Sequence, residues 1–584
     1  MGHRQFLLLL LVITIPCTVS ATILDVPNSY PTIQSAINAS ANEDTVLVQP
    51  GTYFENIDFG EHSIVLASLF LTTGDEAHVT STIIDGNSAG SVVTVEFWNS
   101  TNLIVGLTLR NGAAAIGGGL HFAGSNITLQ NLVVTGNQAT VMGGGLGLEA
   151  LFTAEVAVID CLIENNTSLG PGGGVYAWRA IYGGMVFSGC VLDGNSAAGK
   201  GGGMYSDATM TVTNCNFTNN SLSALNNEAL GGGFHGGLRV SILEECLFSG
   251  NSADFGGGLG FYNSTPATSV NACTMVENTG LGGGGGIWFD NRSGLANNNG
   301  SVTGCTIQDN QTIGFGGGIG IPQGTDILVN DCVIATNSGG IGGGIFVNDA
   351  DDVRIENCTV VGNEASSHGG GALVNGGCTI TNSIVTGNTA SSVGGIVFAT
   401  GGGFQFGDIM GNLPTDFEGA PGGFGDLVNV NANGDPCDVY GNIALDPIFC
   451  GEDEGNFKYA QESPCCGAGQ DGVDIGALGP GCSISAVGDP MPRPIVLMQN
   501  VPNPFNPSTN LSFDLAAAGH VRLKVFDTIG HLVRTLVDED FFEGRHDVIW
   551  NGRDSSGRLS AAGVYLYRLE VGNYSESKRM VLIK

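Results

Sequence analysis

Basic residues are almost missing from most of this chain. Residues 22–482 hold 43 Asp and Glu against seven Lys and Arg, and only Lys200 and Lys458 of those seven are lysines. A surface this acidic repels nucleic acid and anionic lipid, which excludes both as partners. Long apolar runs are scarce as well. The run Phe6–Ile15 follows His3 and Arg4 and leads to Val19, Ser20 and Ala21, so residues 1–21 are expected to be a signal peptide. No later run is long enough for a membrane helix. Glycine is abundant, at 95 of 584 residues, yet it lacks the every-third-residue period of collagen.

What the glycines do have is a longer period. Three in a row followed by an apolar residue occur at 117–119, 143–145, 172–174, 201–203, 231–233, 256–258, 284–286, 316–318, 342–344 and 369–371, with a worn copy at 394–395. The steps run from 24 to 32 residues, the signature of a solenoid. A second register runs through the same repeats. Cys161, Cys190, Cys215, Cys246, Cys273, Cys305, Cys332 and Cys358 fall at one place. Five residues later stand Asn166, Asn195, Asn220, Asn251, Asn278, Asn310, Asn337 and Asn363, and Asn137 and Asn388 extend the line.

Stacked parallel strands explain these columns. Neighbouring strands lie about 4.8 Å apart, so each residue sits over its counterpart one coil away. Cysteine is a small residue suited to an inward column, and its burial argues for unreactive thiols. Asparagine tolerates left-handed backbone at a bend and can bond its amide to those above and below. Triplets supply a corner where side chains have no room and positive φ is needed. The expected fold is all-β: a right-handed parallel β-helix of at least eleven coils.

The mature start, ILDVPNSYPTIQSAINASANEDTVLVQPGTYF, places Pro31 at a first turn and Ile33, Ala36 and Ile37 at helical spacing. This stretch resembles the N-terminal cap (22–60) of β-helix proteins of the pectin-lyase-like superfamily, in which a short helix covers the open end of the coil. The repeats, with GGG-aliphatic throughout and FxxN at Phe217–Asn220 and Phe248–Asn251, resemble the polymorphic outer-membrane protein repeats of chlamydiae. That resemblance implies architecture and surface display.

After Gly403 the repeat decays. DPIFC, SPCCGAG and DGVDIGALGPGC resemble the closing segment of secreted bacterial β-helix proteins, so residues 404–482 are expected to form a C-terminal cap. Its five cysteines, Cys437, Cys450, Cys465, Cys466 and Cys482, suggest disulfides, with one left over to pair with Cys378. Pro490, Pro492 and Pro494 mark a linker over 483–496. Residues 497–584 carry alternating strands at VRLKVFD, HDVIWNG, GVYLYRLEV and KRMVLIK, with turns at Ile529–Gly530–His531 and Ser556–Gly557–Arg558, and fit a small β-sandwich. This stretch resembles the Ig-like domain of flagellar hook-capping proteins and the type A sorting domain of type IX secretion. The second resemblance implies a secretion and anchoring role, with secretion machinery as partner.

Enzymes of this fold hold Ca²⁺ on clustered carboxylates and use a basic residue as proton acceptor. The candidate group is Asp349, Asp351, Asp352 and Arg354, which also describes an ordinary solvated loop. Polygalacturonase signatures are missing: His368 lies in SHGGG, and no Asn-Thr-Asp occurs. His121 and His235 both follow a triplet by two places, but four coils separate them, which excludes a shared metal site. The residue two places after each triplet should point outward. On that stripe Tyr176, Tyr205 and Trp288 form a candidate aromatic platform for polysaccharide, set against the bland reading of a ladder that stabilises an exposed face. Two functions follow: an exported display or adhesion protein, or a surface polysaccharide lyase or glycoside hydrolase using Arg110, Arg179, Arg239, Arg292 or Arg354.

Overall fold

The structure, a computed structural model, describes residues 21–97, 101–178, 184–223, 230–237, 239, 241–262, 268–290, 300–323, 325–483, 496–498, 500, 503, 505–515, 519–527, 531–541, 544–571 and 574–582. Residues 1–20 of the expected signal peptide, nearly all of the linker, Arg179, Arg292 and the turn residues Ile529 and Gly530 lie outside the described residues. Two compact units result, residues 1–483 and 484–584.

The first unit is a right-handed parallel β-helix. Each coil begins at a triplet and runs through a first sheet of 25 strands in two arms. It turns at the cysteine position into a second sheet of 14 strands, and at the asparagine into a third of 11. Fourteen strands stacked at about 4.8 Å give a column roughly 60 Å long. In four coils the two arms of the first sheet fuse into one strand, at Leu120–Gln130, Leu146–Ile159, Ile345–Glu356 and Ala372–Thr381. In the coils between, the arms part after the fourth residue or so, as at Met204–Asp207 and Met210–Thr213.

Each corner of the coil has its own physical reason. The first glycine of a triplet is left-handed, with φ 73° at Gly172. The other two are needed for space: a Cβ on Gly173 would come within 2.3 Å of Gly202 O, and one on Gly174 within 2.6 Å of Gly203 O. At the other two corners the left-handed residue is the one before the cysteine or asparagine, such as Asp160 and Asn165. The ladder asparagines are therefore not the bend residues that the sequence suggests. They fill the bend from inside.

Each ladder amide is fully paired. Asn251 Oδ1 accepts from Asn220 N at 2.9 Å and Asn220 Nδ2 at 3.0 Å. Its Nδ2 donates to Phe217 O at 2.8 Å and to Asn278 Oδ1 at 2.9 Å. The ladder begins where Gly112 N donates to Asn137 Oδ1 at 2.8 Å. It runs past Asn388 to Asn412 and ends on Asp416 Oδ1, 2.9 Å from Asn412 Nδ2. Asn412 stands five residues after Gly407, the spacing of the other rungs, so it was readable in the sequence.

The cysteine column is more than an apolar filler. Cys215 Sγ donates to Thr213 O at 3.3 Å and accepts Cys190 N, also at 3.3 Å. Ser383 does the same at its rung, accepting Cys358 N at 3.0 Å. The corner calls for a small group that both donates and accepts. All eight thiols are buried and unpaired, and burial pushes the Cys332 thiol well up.

Both ends of the column are covered. Helix α1, Ile33–Ala39, buries Ile33, Ala36 and Ile37 against the first strands. Its N-cap is Thr32, so Pro31 lies just before the helix and not in its first turn, and the Glu55 carboxylate accepts Ile33 N and Gln34 N at 2.9 Å each. At the other end, residues 449–478 fold back over the outer face of the second sheet. Phe457 packs on Val333, Ala335 and Val361, and Ala477 N donates to Thr359 Oγ1 at 3.1 Å. One disulfide, Cys450–Cys482, closes this cap. Cys437, Cys465, Cys466 and Cys378 are free. The expected pairing with Cys378 fails because that residue points into the coil core beside Val353.

The second unit has two antiparallel sheets, of three and four strands. Leu511, Phe513, Leu523, Val525, Trp550, Tyr567 and Leu569 fill the space between them. The Tyr567 hydroxyl donates to Met498 O at 2.7 Å and accepts Asn500 N at 2.9 Å, tying the first strand down. The turn at Ser556–Arg558 is organised by Asp554 Oδ1, which accepts Ser556 N and Arg558 N at 2.9 Å each.

Candidate functional site

The outer face of the strand after each triplet carries two rows of side chains. The first row follows the triplet by two residues and reads His121, Gly147, Tyr176, Tyr205, His235, Gly260, Trp288, Gly320, Phe346, Leu373 and Val397, all in register. Its rings stack as the spacing of coils demands. Tyr176 and Tyr205 are 5.3 Å apart and nearly parallel, and Tyr205 and His235 are 5.1 Å apart.

This row points outward, yet it is not the open platform expected of it. Tyr176 is 8% exposed and Trp288 5%, and only Tyr205 is half-buried. The reason is the concave triplet corner. The residue just before a triplet closes over the row residue one coil on: Phe255 covers Trp288 at 4.9 Å, and Phe315 covers Phe346 at 4.8 Å. The ring of Trp288 in turn lies across Gly320, whose Cβ would meet it at 2.2 Å. The glycines that interrupt the row are thus seats for neighbouring side chains. The row is a second, outer hydrophobic seam, and dispersion contacts between rings account for its burial.

The accessible chemistry lies in the second row, four residues after the last glycine. Glu149, Trp178 and Asp207 stand on successive coils. Gly237 follows, then Tyr262 and Asp290. Trp178, Asp207 and Tyr262 are half-buried, and Asp290 is 1% exposed. Lys200 reaches across from the residue before its own triplet and sets its ammonium 4.4 Å from the centre of the Tyr262 ring, a cation–π contact. Burial, and then the Lys200 charge, push the His235 imidazole well below its ordinary range. Burial and the Asp207 carboxylate push the Tyr205 phenol up to about 12. Half-exposed rings beside carboxylates and an ammonium suit recognition of polyhydroxylated rings: faces for C–H stacking, charged groups for hydroxyls. The alternation that yields the first row, continued by two residues, would have found the second.

The carboxylate group at 349–354 sits elsewhere, on the second arm of the first sheet. Arg354 lies 3.5 Å from Asp326, 3.7 Å from Asp352 and 3.9 Å from Glu356. Asp349 and Asp351 are exposed, and among the described residues neither makes an ion pair with Arg354. The structure therefore gathers Asp326 and Glu356 round Arg354 in place of Asp349 and Asp351. Arg110 is paired with Asp85 at 2.8 Å. Among the described residues no group of three or more His, Cys, Asp or Glu is placed to hold a metal ion, so the Ca²⁺ suggested for 349–354 has no such cage.

Comparison with known proteins supports the architecture. A family model described as the right handed beta helix region matches residues 269–408. Curated proteins give no match. Among solved structures the chain is similar to PorZ, described as an essential bacterial surface component of the type-IX secretion system of Porphyromonas gingivalis. Identity is 20%, the match covers 15% of this chain and 11% of that one, and the TM-score is 0.12. So short a likeness carries no argument about function.

Proposed function

We propose that this chain is an exported β-helix display or adhesion protein of a Gram-negative-type bacterium, secreted or held at the outer surface. Its outer two-row face binds polysaccharide. The observation that carries the reading is the second row: Trp178, Asp207 and Tyr262 stand half-open, with the Lys200 ammonium over the Tyr262 ring, on a sheet face stiffened by the buried seam. In this reading residues 497–584 serve secretion and anchoring, supported by their resemblance to type A sorting domains, with the secretion machinery as partner.

Retention of the full chain on immobilised polysaccharides tests the binding. Trp178→Ala with Tyr262→Ala should abolish retention while leaving the thermal midpoint almost unchanged. Failure of the wild type to be retained by any of a broad polysaccharide panel would remove the binding reading. Fusing residues 497–584 to an inert periplasmic reporter tests export separately, and retention of the fusion in a host with that machinery counts against it.

A second reading, a surface lyase or hydrolase, has one observation in its favour: the guanidinium of Arg354 among three carboxylates. It requires polysaccharide turnover that Arg354→Ala destroys. Turnover unchanged in that variant sinks it.

A further inference from the structure

The segment that closes the column, residues 445–482, meets the coil at one buried carboxyl. Asp408, on the last strand of the second sheet, is 1% exposed. Its Oδ1 accepts Leu445 N at 3.1 Å, and its Oδ2 accepts from the Cys465 thiol at 3.5 Å. Further along, Gln470 N donates to Asn382 Oδ1 at 2.7 Å and Gly476 N to Asn382 O at 2.8 Å. The second sheet is altered to receive the segment. One coil earlier the outward residues are Thr306 and Gln308; at the same register under the segment stand Val333 and Ala335, then Val361, none more than 6% exposed. Three paired strands, Phe449–Gly451, Asn456–Ala460 and Pro480–Cys482, and the Cys450–Cys482 disulfide make the segment one body.

The surroundings of Asp408 favour its neutral form. Ile384 lies beside it on the neighbouring strand, and Asp446 and Asp416 bring like charge. Burial pushes the Cys465 thiol well up, so that group stays protonated. Among the described residues no basic side chain pairs with Asp408. Protonated, it gives its hydroxyl hydrogen to the Cys465 sulfur and still accepts Leu445 N–H. Ionised, it is a buried charge with two like charges near it. Burial holds its carboxyl at about 7, against 3.8 in the open. The stability of the closed segment is therefore full below pH 3.8 and is lost as pH rises through about 7. The Tyr459 hydroxyl, buried in the same cluster without a hydrogen-bond partner, adds a cost that opening relieves. We propose that residues 445–482 form a strap that lifts from the second sheet as pH rises, with Asp408 as its latch, and so uncovers the strip of Val333, Ala335 and Val361. This device rests on its own atoms and does not depend on the polysaccharide reading.

The test is hydrogen exchange of the full chain from pH 4 to 8, read by mass spectrometry, with each rate divided by the intrinsic rate at that pH. In wild type, protection over 449–478 should fall about tenfold per pH unit up to about pH 7 and then level off, while middle coils such as 268–290 stay protected. Asp408→Asn, which cannot ionise and keeps an acceptor for Leu445 N, should abolish the slope. The slope and not the level is the readout, so a variant weakened but flat still supports the latch. Cys465→Ala, which removes the thiol and keeps the carboxyl, should lower protection and retain the slope. Wild-type protection that is flat with pH overturns the proposal, as does an unchanged slope in Asp408→Asn. Loss of the slope in Cys465→Ala moves the latch from the carboxyl to the thiol and overturns it too. Coils and strap losing protection together would mean global unfolding in place of a strap.

Discussion

Two corners of the same coil behave differently. At the asparagine corner every coil repeats the same residue, buried, with each amide bonded to its neighbours. At the triplet corner the inner glycines repeat, but the outward side chains change from coil to coil: histidine, tyrosine, tryptophan or nothing. The inside of a corner allows one solution because the backbone of the next coil occupies the space. The outside faces fewer constraints, so variety there is affordable, and recognition is built from variety.

Breaking the comparison hardest means cutting the ladder. Asn251→Ala leaves Asn220 N, Asn220 Nδ2, Phe217 O and Asn278 Oδ1 short of a partner. At about 1–3 kcal/mol for each buried group left unpaired, less what relaxation recovers, the loss should be roughly 3–5 kcal/mol. Chemical denaturation followed by circular dichroism measures it, and a loss under about 1 kcal/mol would show that the ladder is decoration.

The next effect depends on pH. Asp408 lies under the cap on the last strand of the second sheet, buried, and accepts Leu445 N at 3.1 Å. Burial raises its carboxyl from 3.8 to about 7. Folding therefore favours the protonated form. The stability this group contributes is full below pH 3.8 and is lost as pH rises through about 7. Asp408→Asn should raise the thermal midpoint above pH 7, by an amount on the order of a few kcal/mol of stability, and match wild type near pH 4. Parallel midpoint curves for the two proteins from pH 4 to 8 would rule the assignment out.

The smallest effect sharpens the cysteine corner. Since Ser383 makes the same two bonds as the thiols, Cys215→Ser should cost less than about 1.5 kcal/mol, whereas Cys215→Val, of similar bulk but without a polar atom, should cost more by leaving the Cys190 N–H and the Thr213 carbonyl short. Equal losses in denaturation would mean that size alone decides this position.

The column was legible because repeats at 24 to 32 residues align three kinds of corner residue, and each kind has a stacking reason. The capping helix and both corner columns follow from the residues alone. What the residues could not say is how the coil bends. Nothing near Trp288 in the chain announces that Phe255, 33 residues earlier, lies over its ring, so a row correctly read as outward was wrongly expected to be open. The second row was within reach, because Trp178, Asp207 and Tyr262 continue the same alternation. Cysteine pairing in the cap was not, since it depends on which strands the cap lays side by side.

The asparagine ladder also has a direction. Every side-chain amide hands a proton donor to the next coil toward the carboxyl end, from Asn137 through Asn412, and Asp416 accepts without passing one on. In polymer language Gly112 initiates, each asparagine propagates and the carboxylate terminates. Such a chain can gain or lose a whole unit in its middle and leave both ends chemically unchanged, so the length of the column is free to vary in steps of one coil.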